Sequence, residues 1–347
     1  MELVIGNPRR KGNRIVADVA GTEVFFESNL PLFPAQEAFL CPFLAPAMKR
    51  GAGIKLPGPV DSVLLENLKI IRRQFSEWWP NLSPVEIRVK KPLWPRRNAP
   101  AAPDHSALFY TGGVDSSYSL QQLHSRLRYV IFVEGLDIPL ADTARLDAAR
   151  KWLSSTVREC GVEFFTVRTN LREHPVFNEI TWEVTFVAAL AGIAHAFSPL
   201  IRRMYVSAND VPAPWGSTPE LDPYWSSSLV SIDHFGAELT RLDRAISIAR
   251  WQPIHGRLRV CWKNQSDQIN CGYCEKCLRT RLELQAAGVT DGLASFPPGF
   301  PLLKAVQELP EIRLHLHDQW KQTLTRLEPS ELRSEIERLL MRSRHSA

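Results

Sequence analysis

The stretch Tyr110-Thr111-Gly112-Gly113-Val114-Asp115-Ser116-Ser117 decides how this chain is read. It leaves an apolar run, Ala107–Tyr110, that suits a buried strand, and enters Ser117–Leu127, which suits a helix. Two adjacent glycines in a strand-to-helix turn let backbone approach a ligand closely. The first N–H groups of the following helix have no partner within it and attract an anion. Thr111, Ser116 and Ser117 can add hydroxyl donors. Asp115 beside a bare phosphate is unfavourable unless Mg²⁺ lies between them. The bland alternative is a glycine turn capped by an aspartate and a serine. Position favours the ligand, because the turn heads an alternating series of strands and helices.

Working outward, strands are predicted at Tyr129–Val133, Val162–Val167 and Met204–Ser207. Helices are predicted at Ala141–Cys160, Ile180–Ala196 and Glu238–Ala249. This alternation predicts an α/β domain with a parallel sheet over residues 106–290. Residues 1–95 read as an α+β region, with short strands at Leu3–Ile5, Arg14–Val19, Glu23–Glu27 and Val85–Val89 and a turn at Gly21. A short helix from Ala35 is predicted to stop at Pro42, and a longer one runs over Asp61–Trp79. Prolines and basic residues between Lys90 and His105 mark 96–105 as a linker. The region before it is expected to pack as a distinct lobe that covers or extends the site. Residues 291–347 read as a charged helical tail, accessory to the site.

The second informative segment is Cys261, Cys271, Cys274 and Cys277, spaced C-x9-C-x2-C-x2-C. Closely spaced cysteines of this kind suit a tetrahedral thiolate shell for structural Zn²⁺. Lys276, Arg279 and Arg281 can offset its negative charge. A set of free or redox cysteines and an iron–sulfur cluster are the alternatives. A helix from about Leu278 to Ala287 follows, capped by Gly288.

Thr-Gly-Gly-Val-Asp-Ser at 111–116 resembles the phosphate loop of the PP-loop ATP pyrophosphatases (adenine nucleotide alpha hydrolase-like), with Thr111 for the usual serine. The cysteine segment, ending Cys271-Gly272-Tyr273-Cys274-Glu275-Lys276-Cys277-Leu278-Arg279, is similar to the late signature of the 7-cyano-7-deazaguanine synthases. The resemblance covers roughly Ser106–Gly288. It implies that residues 110–117 bind ATP, that Asp115 and Ser116 take part in catalysis, and that the cofactors are Mg²⁺ and Zn²⁺. It further implies adenine near Glu134–Asp137, where Asp137 also suits a plain turn before Pro139. Two segments depart from that family. Glu179–Glu183 replaces a Pro-Gly-Arg-Asn stretch, and Ser207–Asp210 with Trp215–Asp222 replaces a Tyr-Pro-Asp-Cys stretch. The ATP chemistry therefore carries over better than the deazaguanine substrate.

At 44% hydrophobic and 23% charged the chain reads as globular, and no apolar run reaches the ~20 residues of a membrane span. The first residues show no secretory signal, so a cytoplasmic location is expected. A net charge of +5 is too mild to demand a nucleic-acid partner. A small-molecule substrate, a deazapurine or another carboxylate, fits better, and a homodimer is left open. The basic residues Arg72, Arg73, Arg88, Lys90, Lys91, Arg96 and Arg97 read as a solvated face. Asn209, Asp210 and Asp222 fall where a sheet edge would present them to a ligand. Trp215 and Trp225 could stack on a flat substrate but suit packing better, and His234 and Glu238 suit a helix cap. The expected chemistry is adenylation of a carboxylate or similar oxygen, followed by attack of a nitrogen nucleophile. A tRNA-modifying PP-loop enzyme and a non-enzymatic nucleotide sensor are the alternatives. Cys160 is the sole cysteine of the catalytic domain outside the cluster that a thiolating member could use. Asp115 reads as an exposed turn residue whose replacement would cost little stability.

Overall fold

The computed structural model describes residues 2–90, 92–93, 105–198, 200–264, 268–289, 295–297, 299 and 301–343. The expected linker at 96–105 lies outside them except for His105, as do Lys91, Arg96 and Arg97. The N-terminal third contains β1 (Glu2–Val4), β2 (Arg9–Lys11), β3 (Arg14–Val19), β4 (Thr22–Ser28), α1 (Gln36–Arg50), β5 (Gly53–Leu56), β6 (Val60–Asp61), α2 (Ser62–Trp78), β7 (Ile87–Val89) and β8 (Pro92–Leu93). Next come β9 (Ser106–Phe109), α3 (Val114–Leu123), β10 (Tyr129–Glu134), α4 (Thr143–Glu159), β11 (Glu163–Thr169), α5 (Trp182–Ala196), β12 (Arg203–Ser207), β13 (Ser231–Phe235) and α6 (Arg241–Ile248). The chain closes with α7 (Glu275–Ala286), α8 (Leu302–Glu308), α9 (His317–Leu324) and α10 (Glu331–Ser343).

The main sheet has eight strands in the order β13-β12-β9-β10-β11-β4-β3-β2. From β13 to β11 every neighbouring pair is parallel, and the rest is antiparallel. Along β9 the side chains alternate faces. Ala107 and Phe109 join the core with α1 and α5, while Leu108 and Tyr110 join α3 and α4. Both faces are covered, which is why the strand reads as an unbroken apolar run. After β9 the chain moves to β10 and β11 on one side, then returns to β12 and β13 on the other. Ligands of open α/β sheets bind at such a reversal, beyond the carboxyl ends of the strands. The loops after β9 and β12 meet there.

The separate N-terminal lobe is not what these residues form. β4 pairs antiparallel with β11, so the β2–β3–β4 meander extends the main sheet. A single apolar core runs from Leu3 through α1 and α5 to Ile232. Nor does Pro42 stop α1, which continues through Pro42 and Pro46 to Arg50. The helix is buried from Gln36 to Met48, so packing outweighs the hydrogen bonds the prolines forgo. It lies close against α5 at Gly192, where a β-carbon would sit 2.5 Å from the Ala38 carbonyl oxygen. That carbonyl is one that Pro42, lacking an N–H, leaves free. β13 goes unpredicted by the sequence pattern, because its Ser-Ile-Asp-His-Phe sequence offers little apolar signal.

Candidate functional site

A cavity of about 1190 Å³ lies at the carboxyl edge of the parallel strands. Thr111 and Asp115 from the glycine loop, Leu136 and Asp137 after β10, and Asn209 after β12 form one side. Arg241, Arg259, Lys276 and Arg279 form another. The C-terminal tail, expected to be accessory, contributes Glu308, Arg313, His315 and Gln319 to the lining. Among the described residues no helix is long and apolar enough to cross a membrane.

The loop has the geometry that its sequence demands. Gly112 sits at φ +76°, in the left-handed region. A β-carbon there would also lie 2.6 Å from Leu153 Cδ2, so any other residue would be strained and would have to displace that side chain. Arg259 clasps the turn from outside. Its N–H donates to the Gly112 carbonyl at 2.8 Å, and its guanidinium donates to the Thr111 carbonyl at 3.3 Å. Gly113 is the N-cap of α3 and brings no side-chain cap. The backbone N–H groups of residues 112 to 116 have no acceptor among the described residues. Such a run of unpaired donors at a helix start is a cradle for an anion.

The side chains of the loop divide. Thr111 and Asp115 reach the cavity. The Ser116 hydroxyl lies 3.3 Å from the Gly113 carbonyl and 3.4 Å from Thr111 Oγ1, bracing the turn. Tyr110 and Ser117 are buried, with their hydroxyls 3.4 Å apart, and Val114 packs into the core beside the cysteines. Ser117 thus offers its hydroxyl to Tyr110 and not to the cavity.

Asp115 differs from the exposed turn residue expected of it. Its side chain is 21% exposed and is held by two buried arginines of α6. Arg241 Nη1 lies 2.5 Å from Oδ2, and Arg244 Nε lies 3.2 Å from Oδ1. Burial would raise the Asp115 carboxyl, but Arg241, Arg244, Lys276 and Arg279 outweigh it and hold it below its ordinary value. Arg241 is itself fixed by Glu283 at 3.0 Å and by Thr280 at 3.1 Å, both on α7. Its N–H donates to Asp210 Oδ2 at 2.9 Å, and Gln319 of α9 donates to the Asp210 carbonyl at 2.9 Å. None of these partners could be read from sequence, because Arg241 and Asp115 are 126 residues apart.

The four cysteines converge as their spacing predicts. All are buried, and their sulfurs lie within 4.8 Å of one another. Cys271 and Cys277 are 3.8 Å apart at sulfur. A tetrahedron with metal–sulfur bonds of about 2.3 Å has edges of about 3.8 Å, so the group can hold one metal ion such as zinc. The sulfurs stand too close to enclose a polynuclear iron–sulfur cluster. Asn270, wholly buried, holds the two halves of the site in register. Its carbonyl accepts from the N–H groups of Val260 and Cys261, and its amide donates to the carbonyls of Leu258 and Ser295. Removing these bonds in Asn270→Ala should cost about 3 kcal/mol. Metal affinity should fall by about 10- to 100-fold, as it does when outer partners of metal ligands are lost. A competitive chelator titration and a thermal melt measure both, and unchanged values would show that Asn270 is dispensable.

Other candidates resolve into packing. Asp222 is fully buried, bonded to Ser217 at 2.6 Å and to His234 at 2.7 Å, and does not line the cavity. His234 lies in β13, and the cap of α6 is Thr240, so neither His234 nor Glu238 caps it. Glu238 accepts instead from Tyr118 at 3.1 Å. Trp225 is core, while Trp215 lines the cavity with His315 against it at 5.2 Å. Glu134 is buried and paired with Arg150 and Arg168, leaving Leu136 and Asp137 as the cavity residues of that segment. Arg73 and Arg88 pair with nearby glutamates, and Arg72 bonds to backbone carbonyls. Burial pushes the Cys160 thiol up to about 11, the opposite of an activated thiolate.

Searches against protein-family models, curated proteins and solved structures returned no match for this chain.

Proposed function

We propose that the chain is a PP-loop ATP pyrophosphatase that adenylates an acceptor oxygen, releasing pyrophosphate. The observation that carries this reading is the run of unpartnered N–H groups at residues 112 to 116, next to the reversal in strand order. A parallel sheet ordered 3-2-1-4-5 with a glycine turn after its first strand is the arrangement that binds nucleotides. Thr111 and the backbone, braced by Ser116, would hold the β- and γ-phosphates, and Leu136 and Asp137 would border the adenosine. The acceptor oxygen attacks the α-phosphate as the bond to the β-phosphate breaks. Positioning and charge neutralisation supply the rate, with no side chain forming a covalent bond.

Mg²⁺ was expected on Asp115, yet arginines lie against both carboxylate oxygens, Arg241 bonded to Oδ2 and Arg244 at ion-pair distance from Oδ1. The residues present do not form a ready Mg²⁺ site. The ion is proposed to enter with the nucleotide as its counter-ion, and the arginines to hold Asp115 in place. The four-cysteine group is assigned to Zn²⁺ on the 3.8 Å sulfur separation. The activated acceptor then reacts with a nitrogen nucleophile, as the resemblance to the deazaguanine synthases implies.

The deciding measurement is product analysis by mass spectrometry after incubation with MgATP, ammonia and 7-carboxy-7-deazaguanine, followed by other carboxylates. AMP and pyrophosphate in equal amounts are expected once an acceptor is present. ADP with phosphate would overturn the reading. ATP binding without turnover across the acceptors would favour the nucleotide sensor.

A further inference from the structure

Two residues separate the ligands Cys274 and Cys277, and both line the cavity. Glu275 is engaged, accepting from Arg279 at 2.7 Å and from Trp320 at 2.8 Å. Lys276 differs. Among the described residues its ammonium makes no hydrogen bond or ion pair, although it stands close enough to Asp115 and Asp137 to feel their charge. Three arginines near the glycine loop are already engaged. Arg241 holds Asp115 and Glu283, Arg279 holds Glu275 and Glu283, and Arg259 holds the glycine turn. A half-buried cation left without a partner, facing a cavity that Thr111 and Asp115 of the glycine loop also line, is placed for an anion.

We propose that Lys276 is a triphosphate-binding residue, carried into the nucleotide site by the metal knuckle, so that metal loading sets the affinity for ATP. The inference rests on the nucleotide reading above. Lys276 is the second residue of α7, in the turn between two of the four cysteines. Bound metal closes that turn and fixes where the ammonium begins. Without metal the four thiols lose the ion that gathers them, and the lysine loses its anchor. Arg241 and Arg279 would remain, but both are committed to carboxylates.

Isothermal titration of metal-loaded protein with ATP and with AMP tests this in Lys276→Met. The variant keeps the length of the side chain and removes the charge. ATP should bind about 10- to 100-fold more weakly, the worth of one charge-assisted bond, while AMP changes by less than about threefold. A variant with a full complement of metal and wild-type affinity for ATP would overturn the assignment and leave the nucleotide reading standing. Wild-type protein that binds no ATP would overturn both. Amine acylation of the wild type, read by peptide mass spectrometry, gives a second measure should the variant lose metal. ATP should shield Lys276 and AMP should not, and equal labelling with and without ATP would end the proposal.

Discussion

Replacing Cys274 with serine should strip the metal from the chain and unfold the wall of the cavity. Cys274 is both one of the four converging cysteines and the N-cap residue of α7. That helix carries Thr280 and Glu283, which hold Arg241, and Arg279, which pairs with Glu275 and Glu283. Opening a closed four-thiolate shell forfeits much of a binding free energy of about 10 kcal/mol or more. We expect one zinc per chain by elemental analysis in the wild type and none in the variant, with a lower and broader melt. A variant that keeps its zinc and melts like the wild type would show that the sulfurs are not the ligands. Iron with sulfide in the wild type would replace zinc by a cluster.

The second large effect is at Asp115. Asp115→Asn keeps the shape of the side chain but leaves Arg241 and Arg244, both almost wholly buried, without their shared anion. Breaking such a pair from one side costs about 3 kcal/mol or more. The variant should therefore show a lower urea midpoint together with loss of pyrophosphate release, where sequence alone foretells loss of activity with little change in stability. The pH dependence has a defined sign. The folded value of the Asp115 carboxyl is depressed, so its contribution is complete above the unfolded value of about 3.9. It disappears only as pH falls further, through the folded value. Stability between pH 7 and about 5 should owe no loss to Asp115. An Asp115→Asn variant as stable as the wild type would mean that the arginines find other partners.

These two residues also mark how far the sequence could be read. The glycine turn and the cysteine spacing are local signals, and each is confined to fewer than twenty residues. Their geometry came out as the chemistry of glycine and thiolate requires. The arginines around Asp115 are ordinary helix residues until α6 is laid across the start of α3. Lys276 reads in sequence only as a charge to balance thiolates, because nothing there shows that the turn between Cys274 and Cys277 opens on the cavity. The tail looks accessory for the same reason, its amphipathic helices naming no partner. Pro42 misleads because a rule about isolated helices is set against a helix that is buried along most of its length.

The join between β4 and β11 governs the order in which this molecule can be made. The N–H of Phe25 is bonded to Asn170, 145 residues further on, and β4 has its other edge on the hairpin with β3. A ribosome adding about 5–20 residues per second needs on the order of ten seconds to deliver that partner. During that interval the nascent N-terminal meander must stand with an open edge and an exposed apolar face, beside an α1 that awaits α5. Non-local pairing of this kind is slow to form and prone to aggregation while it waits. The same join argues against trimming the chain at its proline-rich stretch. A shortened protein beginning there would carry a bare β11 edge and an uncovered α5, and should precipitate on expression unless residues 2–90 are supplied alongside it.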